Sequence, residues 1–165
     1  MAEAESIALR PAGPEDTDFL FRLFSSARAP ELAAFGWSEE QQGAFLRMQY
    51  VARERHYRAC WPDADDRIVT IDGRNAGRIC VFRAPAALLL IDIALLPEYR
   101  NIGIGGRLIN SLCDEADRAR IPVRLHVDRS NPAARLYRRL GFAVMREEAL
   151  YLEMERAVNP RTASP

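Results

Sequence analysis

The stretch Pro97-Glu98-Tyr99-Arg100-Asn101-Ile102-Gly103-Ile104-Gly105-Gly106 decides how this chain is read. It follows an apolar run, Leu88 to Leu96, and precedes an amphipathic pattern from Arg107 to about Arg120. A buried strand therefore feeds a glycine-rich turn that opens a helix. Glycine lets the backbone curl so that successive N–H groups point into one concavity. The first N–H groups of a helix have no intrahelical acceptor, and the helix dipole favours an anion beside them. The segment has the outline of a phosphate-binding device, and spacing narrows which one. A P-loop needs Lys-Ser or Lys-Thr after its last glycine, whereas Arg107 and Leu108 follow Gly106. A dinucleotide fingerprint starting at Gly103 needs glycine at position 108, which is leucine.

What remains is Arg100-x-x-Gly103-x-Gly105. Downstream, Val123 to Val127 alternates apolar and polar residues, as a half-buried strand does. Then comes Asn131-Pro-Ala-Ala-Arg-Leu-Tyr137-Arg-Arg-Leu-Gly141-Phe142. Together these segments resemble the GNAT superfamily of acetyl-coenzyme A-dependent N-acetyltransferases. The pyrophosphate loop of that family reads Gln/Arg-x-x-Gly-x-Gly/Ala. Its later order is a strand, an Asn, a short helix with Tyr six residues on, Gly-Phe and a last strand. The resemblance runs from about Leu88 to Glu155, and the N-terminal half matches only in element order.

Composition sets bounds on this reading. At 165 residues the chain is long enough for one sizeable core. We expect a single domain over 1–156, followed by a frayed tail, 157–165. The formal net charge is zero, which points away from nucleic acid and polyanionic surfaces. All the positive side chains except the two histidines are arginine; the chain has no lysine. Cys60, Cys80 and Cys113 are odd in number and lack metal-ligand spacing, so they read as reduced thiols with no metal site. Met1 to Arg10 has no basic region leading into an apolar run, and no apolar stretch reaches spanning length. The expected location is the cytoplasm, as monomer or homodimer, with no membrane or nucleic-acid partner.

The coarse element order follows from local signals. Ser6 to Leu9 reads as a strand ended by Pro11 and Gly13. Pro14-Glu-Asp opens a helix with Phe19, Leu20, Leu23 and Phe24 on its apolar stripe, and Ala29-Pro30 is expected to interrupt it. Ser38-Glu-Glu-Gln41 is a capping box for a long helix to about Cys60, with Phe45, Met48, Ala52 and Ala59 near one face. Arg67 to Ile71 and Gly77 to Phe82 form a hairpin across Asp72-Gly73. Leu88 to Leu96 reads as the most buried strand. The helix after Gly105 buries Ile109, Leu112, Cys113 and Ala116, and Ala143 to Met154 holds the last strand or strands. The order β-α-α-β-β-β-α-β-α-β is an α/β fold with a mixed, mostly antiparallel central sheet flanked by helices. It is also the order that the GNAT resemblance implies.

The resemblance also implies roles. Backbone amides over Arg100, Asn101, Ile102, Gly103, Ile104, Gly105 and Gly106 grip the pyrophosphate of coenzyme A, with acetyl-coenzyme A as co-substrate. Asn101 stands where the family often has glycine, and Asn tolerates left-handed backbone angles. The Arg100 side chain is either a phosphate contact or a surface arginine. The thioester oxygen meets a backbone N–H at Leu95, with Ala94 beside it. Tyr137 is the acid for the departing thiolate, against a reading as helix-face packing. Asn131 touches the pantetheine region and, followed by Pro132, is also a good helix N-cap.

The base is less defined. Asp92 interrupts Leu-Leu-Leu-Ile-Asp-Ile-Ala-Leu-Leu, and a carboxylate there must sit at a cleft, be paired or be raised in pKa. It serves the amine as base, binds a cationic substrate, or pairs with an arginine. His126 suits proton transfer by residue type, but reads as a sheet histidine on the less apolar face; His56 reads as a surface or packing residue. Arg28, Glu31, Phe35, Trp37, Glu39 and Glu40 fall where the fold shapes the acceptor side. The acceptor is an amine of a small molecule or protein. The rival reading is a module of the same fold that holds coenzyme A without catalysis.

Overall fold

The computed structural model describes residues 6–160. The first five residues, and 161–165 of the expected tail, lie outside that range. The elements are β1 (Ile7–Pro11), α1 (Thr17–Ala33), α2 (Glu39–Cys60), β2 (Asp65–Ile71), β3 (Arg74–Ala84), β4 (Ala87–Leu95), α3 (Ile104–Ala119), β5 (Val123–Asp128), α4 (Ala133–Arg139), β6 (Ala143–Glu147) and β7 (Tyr151–Arg156). Short 3-10 turns at Pro14–Asp16 and Pro97–Tyr99 complete the order. The seven strands form one hydrogen-bonded sheet, β1-β2-β3-β4-β5-β7-β6. β4 and β5 are parallel, with Leu88–Leu90 against Val123–Leu125. The β1/β2, β5/β7 and β6/β7 pairs are antiparallel. The expected α/β class and mostly antiparallel sheet are therefore present, and the C-terminal segment holds two strands.

The chain divides into two compact units. The first takes the residues through Cys80 together with Asp92–Arg100; the second takes Val81–Ile91 and the residues from Asn101 on. In the first unit, Leu20, Leu23, Phe24 and Leu32 of α1 pack with Leu46 and Tyr50 of α2, Ile68 of β2 and Leu96. Tyr50 anchors this core, its ring 5.6 Å from those of Phe21 and Phe24. The capping box forms as read: Gln41 N–H donates to Ser38 Oγ and Ser38 N–H to Gln41 Oε1. The Asp72-Gly73 turn has positive φ at both residues, which matches the right-handed twist of a hairpin.

Three expectations need correction here. α1 runs through Pro30 to Ala33 instead of breaking at Ala29-Pro30. Pro30 lies in the last turn, so its missing N–H costs the helix one bond, and buried Leu32 holds the turn beyond it. The inward face of α2 is Leu46 and Tyr50, while Met48 is 61% exposed and Ala52 and Ala59 face solvent. That inward face continues into Arg53, Glu54 and Tyr57, and charge conceals it from a hydrophobic reading. The most buried strand is β3, continuous from Ala76 to Val81, since β4 is only half-buried over Ile91–Leu95.

In the second unit the amphipathic reading of α3 is borne out. Ile109, Leu112, Cys113 and Ala116 are buried, joined by Ile104, Leu108 and Asp117. β5 alternates buried and exposed residues along its length. Asp117 is a buried carboxylate that receives both terminal nitrogens of Arg156, at 2.8 and 2.9 Å, and the Asn159 N–H at 2.8 Å. The tail is therefore tied down at Asn159, within the segment expected to fray. Cys80 and Cys113 are buried and Cys60 is exposed. Burial pushes the Cys80 thiol up to about 12 and the Cys113 thiol up to about 11.

Candidate active site

In the first unit the chemistry collects around Arg78 on β3. Its side chain is almost fully buried, yet it carries a full charge. Nε and Nη2 donate to Asp66 at 2.7 and 2.8 Å, and Nη1 and Nη2 donate to Glu54 at 2.7 and 3.2 Å. Burial disfavours the guanidinium, but these carboxylates outweigh it and raise its pKa above the ordinary arginine value. Glu54 shows the reverse balance: burial pushes its pKa up, and Arg78 together with Arg53 more than offsets this to hold it below the usual carboxylate range. Arg53 joins through Glu54 at 3.1 Å, with its guanidinium over the ring of Phe24 at 4.6 Å. Burial pushes the neighbouring Tyr57 phenol up to about 12.

Asp92, the acidic interruption in β4, sits in this cluster. Its carboxylate lies 3.5 Å from both Arg53 Nη1 and Arg78 Nη1, with its side chain 16% exposed. These are ion-pair distances rather than hydrogen bonds. Arg53 Nε is buried with no hydrogen-bond partner. Two guanidiniums thus face three carboxylates, Glu54, Asp66 and Asp92, and one negative charge is left over.

The end of β4 is held from two sides. Leu96 N–H donates to the Ala76 carbonyl at 2.8 Å, which turns Leu96 toward β3. A Cβ at Gly77 would fall on the Ala94 carbonyl oxygen and lie 2.7 Å from Leu95 Cδ2, so only glycine permits this backbone approach. Arg100 reaches back: Nε donates to the Leu95 carbonyl at 2.7 Å and Nη2 to Ser26 Oγ at 3.2 Å. Its side chain thereby turns back to the end of β4 and to α1.

In the second unit the glycine loop has the expected backbone. Asn101 has φ +61°, and Gly103 has φ +89° at the N-cap of α3. Asn101, Ile102 and Gly103 are exposed. The first helical bond runs from Arg107 N–H to Gly103 O at 3.1 Å. The N–H groups of Ile104, Gly105 and Gly106 therefore precede the helical ladder and point along its N-terminal end. The N-cap of α4 is Pro132 rather than Asn131, which precedes it and accepts the Ala133 N–H on Oδ1 at 2.9 Å. Tyr137 is buried at 6% exposure, its ring 5.7 Å from Phe142. The motif continues structurally in Phe142, whose N–H donates to the Tyr137 carbonyl at 3.0 Å. His126 is exposed on β5 opposite Glu153. His56 lies beside Cys60 on the exposed end of α2, its Nδ1 3.6 Å from Sγ. Among the described residues no group of three or more His, Cys, Asp or Glu side chains could hold a metal ion.

The Acetyltransferase (GNAT) domain family model matches residues 48–144. The chain belongs to the GNAT acetyltransferase family. It is an acyl-coenzyme A-dependent acetyltransferase, with acetyl-coenzyme A as the family's co-substrate and an amine as acceptor. No curated protein matches it in sequence. Solved structures share its fold at low identity. The PaiA N-acetyltransferase of Thermoplasma acidophilum, in complex with coenzyme A, is 24% identical with a TM-score of 0.66, over 92% of this chain and 99% of that one. A GCN5-related N-acetyltransferase from Rhodopseudomonas palustris is also 24% identical, with a TM-score of 0.65, over 96% and 100%. A GNAT acetyltransferase from Elizabethkingia anophelis with acetyl-coenzyme A bound is 15% identical, with a TM-score of 0.57, over 92% and 98%.

For this GNAT acetyltransferase, sequence reasoning missed Arg78, Arg53, Glu54, Asp66 and Gly77. One signal was present. Arg78 lies between Gly77 and the apolar Ile79-Cys80-Val81, the same kind of charged interruption that singled out Asp92. Of the acceptor-side residues read from sequence, Phe35 and Trp37 are in ring contact at 5.6 Å. Arg28 lies over Phe24 at 4.2 Å, Phe35 and Trp37 are exposed, and Glu39 and Glu40 occupy the first turn of α2.

Proposed function

We propose that the enzyme transfers acetyl to a cationic primary amine by direct attack within a ternary complex. The observation that carries the choice of acceptor is the ion cluster with one excess negative charge. A half-buried excess charge favours a ligand of opposite sign. Asp92, at ion-pair distance from two guanidiniums, serves as the counter-charge. It anchors the ammonium, and the amine proton leaves to water before attack.

The remaining roles in this reading are supported by the family resemblance and by the residue types. The amides from Asn101 to Gly106 bind the pyrophosphate, and Asn131 contacts the pantetheine arm. The amine nitrogen attacks the thioester carbon, and the Leu95 N–H, beside Ala94, stabilises the oxygen as it gains charge. As the carbon–sulfur bond breaks, Tyr137 gives its proton to the thiolate; the acylated nitrogen releases its second proton to solvent, and Tyr137 regains one from solvent. The matched region, 48–144, draws on both compact units, which supports residues 1–156 acting as one catalytic domain. A cytoplasmic monomer or homodimer, with no nucleic-acid or membrane partner, suits its free thiols and zero net charge.

Acetyl-coenzyme A is expected to raise the melting temperature of the wild-type protein. Gly103→Val, which forces a β-branched side chain into φ +89°, should abolish that rise. An unchanged rise in this variant would remove the loop from the binding site. Asp92→Asn should raise the KM for the amine about tenfold or more, since a hydrogen bond to a charged group contributes about 1.5–3 kcal/mol. It should leave kcat and the acetyl-coenzyme A response in place. A base role would instead lower kcat and flatten the pH–rate profile.

A further inference from the structure

We infer that Arg100 is a positioning residue that fixes the Leu95 peptide for acyl transfer, and that its side chain is not a ligand of the coenzyme phosphates. The inference rests on the assignment of the Leu95 N–H as the oxygen donor. In an extended strand the N–H and C=O of one residue point to the same edge, and successive residues alternate edges. Leu96 N–H faces β3, where it meets the Ala76 carbonyl. The Leu95 N–H and C=O therefore share the opposite edge. On that edge Arg100 Nε holds the Leu95 carbonyl at 2.7 Å, five residues back along the chain. The same guanidinium donates through Nη2 to Ser26 Oγ, and Ser26 Oγ donates in turn to the Leu23 carbonyl at 2.7 Å. The strand end is thereby tied to α1, whose Leu23 is among the most deeply buried side chains. From the β3 side, Gly77 presses against Ala94 and Leu95. Leu95 is thus clamped between a backbone approach and a planar fork. A preorganised donor is effective because it does not reorganise as charge develops.

Lysine cannot substitute for this fork. It keeps the charge but has no planar pair of donors to span Leu95 O and Ser26 Oγ together. A phosphate contact, by contrast, would survive Arg100→Lys in large part, since lysine binds phosphate as a point charge.

The test uses Arg100→Ala, Arg100→Lys and Ser26→Ala in the full chain. Both Arg100 variants should lower kcat about tenfold to a hundredfold, the range expected for a misplaced reacting geometry. They should keep the wild-type KM for acetyl-coenzyme A and its melting-temperature rise. Ser26→Ala should lower kcat by a smaller factor in the same way. The direct readout is the Leu95 amide resonance with a ketone analogue of acetyl-coenzyme A, in which methylene replaces the thioester sulfur. It should shift on binding in the wild type, and shift less in Arg100→Ala and Ser26→Ala. A silent Leu95 amide in the wild type would defeat the donor assignment, and the inference with it. A Leu95 shift that is undiminished in Arg100→Ala and Ser26→Ala would overturn the positioning role alone. A loss of the acetyl-coenzyme A response that Arg100→Lys restores would assign Arg100 to phosphate. A lower melting temperature with normal kcat would make Arg100 a purely structural brace.

Discussion

Arg78→Leu is expected to destabilise the fold by about 3–5 kcal/mol, the usual cost of removing one partner from a buried ionic network. Arg78 donates to both Glu54 and Asp66, and lies at ion-pair distance from Asp92. Leucine fills most of the space but leaves three carboxylates with Arg53 as their only cation in the cluster. The effect carries a pH signature. In the wild type, burial raises the Glu54 pKa but Arg78 and Arg53 hold it below its ordinary value. Its contribution is therefore present above the unfolded carboxylate pKa of about 4.3, and is lost as pH falls through the lowered folded value. In the variant Glu54 keeps its burial but loses Arg78, so its folded pKa rises. The variant should be least stable near neutral pH and recover as the solution is acidified toward about pH 5. Urea unfolding at pH 7.5 and pH 5 checks this. A gap between wild type and variant that is small, or that widens on acidification, would show that the network contributes little.

The second large effect is expected at Tyr137→Phe. The ring is buried against Phe142, and phenylalanine reproduces most of its volume and the tilted ring contact. The fold and the acetyl-coenzyme A melting shift should therefore persist. Removing the acid proposed above should lower kcat by about a hundredfold or more, because the thiolate must then leave unprotonated or take its proton from solvent. The loss should shrink with thioesters whose thiols are more acidic, which need less help to leave. Steady-state turnover together with single-turnover chemistry separates this from slow product release. A variant within twofold of wild type, with chemistry rate-limiting, would return Tyr137 to packing alone.

Legibility in the sequence followed the range of the forces involved. The α3 helix, the β5 alternation, the capping box and the Asp72-Gly73 turn are local, and each was visible as a period or a spacing. The glycine loop was visible for the same reason: a left-handed residue before a helix leaves a mark at fixed distance. The Arg78 network was not visible, because it joins α2, β2, β3 and β4, and only the fold brings Glu54, Asp66 and Asp92 to one guanidinium. Arg100 was legible as a motif residue, but its bond to the Leu95 carbonyl was not. Nothing in the sequence tells a side chain that reaches forward to a ligand from one that turns back to Leu95. Pro30 misled in the other direction, since a helix breaker near a C-terminus loses to the packing of Leu32.

The unequal burial of the three cysteines has a practical consequence for measuring this enzyme. Its product, coenzyme A, is a thiol, and thiol-reactive dyes are the natural way to count turnovers. In the native protein only Cys60, at the end of α2, is open to such a dye. Cys80 and Cys113 are both shielded and held in the unreactive protonated form by their surroundings. The folded enzyme therefore adds a single fixed equivalent to the signal. Any further protein thiol that reacts marks molecules that have opened, one reporter in β3 and one in α3. The same dye reads catalysis and integrity in one cuvette, and Cys60 alone accepts a label without disturbing either core.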